Sequence, residues 1–165
     1  MRLEAVEAVT GALNAHCVRF LVVDGLAVAA HGYLRYTADV DMVIQLDPAN
    51  IREAFTALAE VGYRPSVPVT GEQFGNVELR SRWIAEKGMV VLNFWSDAHR
   101  DTPIDVFVSE PFDFDSEYSQ GLAQELAPGV IMRFPRLDTL IKMKLSAGRP
   151  KDLIDVEYLR KARSA

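Results

Sequence analysis

The stretch Val22–Ile44, VVDGLAVAAHGYLRYTADVDMVI, constrains this chain more than any other. A β-branched apolar run ends at Asp24-Gly25, a short alanine-rich segment stops at Gly32, and a second apolar run carries Asp39 and Asp41 with one residue between them. This order predicts strand, glycine turn, short helix and strand. Successive side chains of a strand point to opposite faces, so Asp39 and Asp41 share a face, and stepping back by twos adds Thr37 and Arg35 to it. Two acids side by side are costly unless something cationic lies between them. Such a row fits a phosphate and a metal.

The rest of the chain supplies the frame for that unit. Leu3, Val6, Val9 and Leu13 fall at helical spacing within Arg2–Ala15, and Val18–Val23 then reads as a buried strand. Val40–Leu46 continues the acid-bearing strand to Asp47 and Pro48, where a helix with Ile51, Phe55, Leu58 and Val61 on its inner face begins, and Gly62 closes it. Tyr63–Val69 holds two prolines and suits an edge strand or loop. A loop from Gly71 leads to a short helix over Asn76–Glu86, followed by a strand over Met89–Trp95. In the next strand, Pro103–Glu110, alternation sets Ile104, Val106 and Val108 on one face and Asp105 and Phe107 on the other. Phe112–Ser119 reads as an aromatic and acidic turn, Leu122–Phe134 as one or two short strands, and the chain closes with helices over Arg136–Ala147 and Pro150–Ala162.

The fold class expected is α+β, a small mixed sheet flanked by helices with further helices at the C-terminus. All 165 residues are expected to form one domain, its core spanning about 17–110 and its helical C-terminal segment about 136–163.

Composition narrows the function. A net charge of −5 argues against broad binding to a nucleic-acid backbone, while leaving room for a local basic patch. No apolar run approaches the roughly 18 residues that span a bilayer, and acids stand where a signal peptide would have its basic and apolar regions, so a cytoplasmic protein is expected. Cys17, within CVRFLVV, reads as a buried thiol in a reduced compartment.

Asp105 joins Asp39 and Asp41 as a third acid in apolar surroundings. Were their strands neighbours, about 4.8 Å apart, the three would converge at one rim. Magnesium takes oxygen ligands and commonly combines carboxylates with substrate phosphate, so three converging acids suit a pair of Mg2+ ions. At Gly25 the backbone leads into a helix whose first N–H groups suit phosphate.

Gly25, the Asp39-Val40-Asp41 pair and Asp105 together resemble the motif of the DNA polymerase β-like nucleotidyltransferase superfamily. Within it, AVAAHGYLRYTADVDMVI and MKLSAGRPKDLIDVEYL resemble small bacterial members related to the AbiEii toxin type. The resemblance implies transfer of a nucleoside monophosphate from an NTP to a hydroxyl, with release of pyrophosphate. It also implies Asp39, Asp41 and Asp105 as catalytic metal ligands, Asp41 and Asp105 holding the ion at the acceptor hydroxyl and Asp105 helping to take its proton. Gly25 and Leu26 would meet the triphosphate, supported by Arg35 or Thr37, and Lys144 would contact nucleotide. The acceptor, whether RNA, protein or a small molecule, is left open, with an antitoxin or a second copy of the chain as expected partners.

Several residues have plainer accounts. Arg35 serves equally as an ion-pair partner of Asp39 or Asp41, and His31 as a packed histidine near a helix end. Arg149 and Lys151 suit the helix break at Gly148-Arg149-Pro150 without a ligand. Leu26 stands where the superfamily usually has Gly or Ser, and a branched side chain against phosphates would produce the alternative function, a catalytically degenerate binding protein on the same fold.

Overall fold

The computed structural model describes residues 1–165. Helix α1 (Leu3–Ala15) leads to strand β1 (Phe20–Val23), helix α2 (Asp24–Ala30), strand β2 (Val40–Ile44) and helix α3 (Pro48–Glu60). Next come β3 (Tyr63–Pro65), α4 (Gly71–Gly75), α5 (Val77–Lys87), β4 (Val91–Ser96), β5 (Ile104–Phe107) and α6 (Phe114–Gln120). A hairpin of β6 (Leu122–Ala127) and β7 (Val130–Phe134) precedes α7 (Leu137–Ala147) and α8 (Pro150–Ser164). The α+β class and mixed sheet expected from the sequence are present. No helix is long and apolar enough to cross a membrane.

The main sheet runs β1-β2-β5-β4-β3, with β2 and β5 parallel at its centre and the other neighbours antiparallel. Tyr63–Pro65 lies at an edge, where a proline removes no ladder hydrogen bond that the sheet needs. One sheet face is the core: Phe20, Val22, Val40, Met42, Ile44, Ile104 and Val106 join a single buried apolar cluster with residues of α1, α3 and β7. The opposite face divides in two. Leu21, Val23 and Val43 are buried there with Phe114, against Phe107, Phe112 and Met143. Asp41 and Asp105 occupy the same face nearer the rim, by the period-two alternation that sets Val43 and Phe107 beside them.

Local signals explain most boundaries. Asp47 caps α3 by accepting from the backbone N–H of Ala49 at 3.1 Å and Asn50 at 3.4 Å, and Pro48 occupies the first helical position. Gly62 leaves that helix at φ +86. Three expectations need correction. β2 starts at Val40, so Arg35, Thr37 and Asp39 lie in the preceding loop and not on a strand. Helix α2 starts at Asp24, directly after β1 where a separate glycine turn was expected, and Asp24 itself is left-handed (φ +53). Cys17 is exposed, also left-handed at φ +53, because it makes the turn out of α1 instead of joining β1.

Candidate active site

The parallel pairing of β2 with β5 places Asp41 directly opposite Asp105. Asp39, just before β2, completes the group, and one carboxylate oxygen of each of the three lies within 4.8 Å of the others. Burial pushes Asp41 up to about 7, with the fields of Asp24, Asp39 and Asp105 adding to the rise and Lys151 opposing it. Asp24 exerts its field because β1 pairs Val23 with Asp41 and Asp24 follows immediately. Burial also raises Asp105, against the Asn93 side-chain amide, which donates to its Oδ1 at 2.9 Å. The β4–β5 register sets Asn93 opposite Asp105 for that bond.

A second cluster, Asp24, Asp152 and Asp155, is equally tight but fully neutralised. The buried ammonium of Lys144 bonds Asp24 and lies 3.1 Å from Asp152 and 2.8 Å from Asp155. Arg35 adds hydrogen bonds of 2.7 and 2.9 Å to Asp155 and reaches Asp24 at 3.3 Å, while Arg149 holds Asp152 at 2.6 Å. Burial works to raise Asp152, but its hydrogen bonds from Arg149 and Lys144 prevail and hold it at about 2. Lys144 likewise holds Asp24 below the ordinary carboxylate range against its burial. The protein therefore supplies cations to one acidic cluster and leaves the other without a salt bridge. Three hard oxygen donors crowded without a counter-charge fit a divalent cation such as Mg2+.

Both clusters face a cleft of about 1170 Å3 between the rim of the sheet and helices α7 and α8. Lys142 and Lys151 line it from the helices, exposed and in no salt bridge. Val90, Phe107, Pro111, Phe112 and Met143 give the cleft an apolar wall beside Asp105. Acids without cations on one side and open cations on the other suit a metal-bound polyphosphate.

Comparison with solved structures shows where this fold recurs. The chain aligns over 98% of its length with the solution structure of the antibiotic-resistance factor ANT(2'')-Ia, covering 82% of that chain at 13% identity and a TM-score of 0.58. With the crystal structure of ANT(2'')-Ia in complex with adenylyl-2''-tobramycin it aligns over 99%, covering 89% of that chain at 12% identity and a TM-score of 0.60. The chain has a nucleotidyltransferase fold. No family model and no curated protein sequence matches it.

Placed on the nucleotidyltransferase fold, the residues singled out from sequence separate. Asp39, Asp41, Asp105, Arg35, Thr37 and Lys144 all line the cleft, whereas Gly25 and Leu26 do not. Gly25 is buried beneath Thr37: a methyl group added to it would lie 2.6 Å from Thr37 Cβ and nearer still to Oγ1. Its lack of a side chain is used for this close approach. Leu26 packs against the core, so it does not project among phosphates. Arg35 pairs with Asp155 and Asp24, not with Asp39 or Asp41, because its loop folds towards α8. His31 caps α2 and bonds the Pro135 carbonyl at 2.8 Å, a packed histidine as expected.

Sequence reasoning missed Asn93, Asp24 and Lys142, and set Lys151 aside as a charge of the helix break. Asn93 carried a signal, a lone amide within the apolar run MVVLNFW. The others did not, since helix ends account for such charges equally well.

Proposed function

We propose that this protein is a metal-dependent nucleotidyltransferase that moves a nucleoside monophosphate from an NTP to a hydroxyl acceptor and releases pyrophosphate. The observation that carries the reading is the contrast between the two acidic clusters: Asp39, Asp41 and Asp105 are left without cations in a cleft whose other side presents Lys142 and Lys151. The fold shared with ANT(2'')-Ia supports it, since that protein is a nucleotidyltransferase captured with an adenylylated product.

Asp39, Asp41 and Asp105 would hold Mg2+, two ions by the number of donors, which when bound would neutralise phosphate charge and acidify the acceptor hydroxyl. Lys151 and Lys142 draw the triphosphate to the helical side of the cleft. Asn93 fixes one oxygen of Asp105 and leaves the other turned to the acceptor, whose body lies along the apolar wall from Phe107 to Met143. The acceptor oxygen forms a bond to the α-phosphorus, the bond from that phosphorus to the β-bridging oxygen breaks, pyrophosphate leaves, and the hydroxyl proton passes to Asp105. Catalysis is positioning and charge neutralisation. Lys144 acts on the nucleotide indirectly, by fixing Asp24 and the α7–α8 wall.

The finer assignment, an AbiEii-type toxin acting with an antitoxin or as a homodimer, rests on AVAAHGYLRYTADVDMVI and MKLSAGRPKDLIDVEYL. These two stretches meet in space through Arg35 and Asp155. The degenerate alternative depends on Leu26 obstructing phosphates, and its packing against the core favours the enzyme.

The test supplies α-labelled NTP and Mg2+ with three separate acceptor pools, total RNA, total protein and a small-molecule extract. Label entering one pool, with equimolar pyrophosphate and at least about 100-fold less transfer by the Asp39→Ala, Asp41→Ala double variant, is the expected result. No label in any pool and no pyrophosphate would refute transferase activity.

A further inference from the structure

Tyr36 is 83% exposed, yet it lines the cleft. An aromatic ring left in water at the mouth of a charged cleft has no packing role in the protein itself. Its backbone is nevertheless firmly held. Arg35 Nη1 donates to the Tyr36 carbonyl at 3.0 Å, and the same guanidinium is fixed by both oxygens of Asp155 and by Asp24. On the other side, Thr37 is seated over Gly25 and its Oγ1 donates to the Asp39 carbonyl at 3.3 Å. Tyr33, at the start of the segment, stacks on Tyr158 with ring centroids 4.1 Å apart. The ring thus projects from a backbone pinned before and after it.

We infer that Tyr36 is the stacking platform for the nucleobase of the bound nucleotide, an inference that rests on the nucleotidyltransferase reading above. Tyr36 stands three residues before Asp39, a separation of at most about 10 Å of extended chain. That is the reach of a nucleoside between its α-phosphorus and its base. Arg35 ties the Tyr36 segment to Asp155 of α8, the helix that also carries Lys151, and Tyr36 and Lys151 both line the cleft. Stacking on a tyrosine face is tolerant of base identity, because every base offers a π-face. The site therefore accepts all four NTPs, with purines held more tightly than pyrimidines.

The experiment titrates Mg-ATP and inorganic tripolyphosphate with Mg2+ into the wild-type protein and into Tyr36→Ala, Tyr36→Leu, Tyr36→Phe and Leu34→Ala. Leu34 is 84% exposed in the same segment but does not line the cleft, which makes it the control. Expected is about tenfold weaker Mg-ATP binding for Tyr36→Ala and Tyr36→Leu. Tripolyphosphate binding should stay within twofold, and Tyr36→Phe and Leu34→Ala should match the wild type. Equal loss of both ligands would assign Tyr36 a merely structural role, and undiminished ATP binding by Tyr36→Ala would remove it from the site; either overturns the inference while leaving the transferase reading intact. A wild-type protein that binds neither ligand would overturn both.

Discussion

Arg35 and Asp155, 120 residues apart in the chain, are joined by two hydrogen bonds of 2.7 and 2.9 Å. The pair fastens the loop before Asp39 and Asp41 to the last helix, and with Lys144, Asp24, Asp152 and Arg149 it makes the joint between the sheet and the wall of the cleft. Bidentate geometry and near-complete burial of Asp155 distinguish it from a surface ion pair of little consequence.

Lys144→Met is expected to destabilise the fold by about 3–5 kcal/mol, because it leaves the buried Asp152 and Asp155 and the half-buried Asp24 facing one another without their shared cation. Urea unfolding followed by circular dichroism measures the loss. A midpoint equal to that of the wild type would mean that the three acids do not depend on Lys144.

Acid should loosen the same joint. Asp152 is held at about 2 and Asp24 is also lowered, so in each case the unfolded chain takes up a proton at higher pH than the native one. Their contribution is whole above about pH 4 and is lost as pH falls towards 2, on the order of 2 kcal/mol for Asp152 alone. Thermal melts across that window should fall steeply in the wild type and less steeply in Asp152→Asn, which starts from lower stability at neutral pH.

Asp41 has the opposite sign. Its native pKa, about 7, lies above the unfolded value, so metal-free protein binds a proton on folding between about pH 4 and 7 and loses stability as pH rises through that range. Asp41→Asn removes the dependence. At pH 8 without metal it is expected to be more stable than the wild type by about 1–2 kcal/mol, and its melting temperature should not respond to Mg2+. Lower stability in the absence of metal would contradict the like-charge account.

Gly25→Ala should cost about 1–3 kcal/mol, the ordinary penalty of overpacking, since Thr37 fills the space a methyl would need. Adding Thr37→Gly to that variant should recover part of the loss in the same unfolding measurement. No recovery would place the conflict elsewhere.

The sheet face and two of the three clustered acids were legible because those two violate a local rule. Asp41 and Asp105 sit within strands that propensity would fill with apolar residues, and period-two alternation fixes which face each occupies. The helix from Pro48 carried its own capping chemistry. What escaped was whatever depended on a distant partner. Arg35, Asp24 and Lys144 look like ordinary surface charges until α7 and α8 fold back on them, and no local pattern encodes a contact across 120 residues. Gly25 signalled an unusual backbone but not whether phosphate or Thr37 approached it, since both require the same missing side chain. The helical turn α4 was hidden by its two glycines, and its Thr70–Gln73 capping box compensates for them.

The most direct test of the central claim is isothermal titration of ATP into the protein with Mg2+, with EDTA in its place, and into the Asp39→Ala, Asp41→Ala double variant with Mg2+. The account predicts saturable binding in the first case alone. Binding that persists with EDTA, or in a folded double variant, would contradict a metal-dependent nucleotide site at Asp39, Asp41 and Asp105.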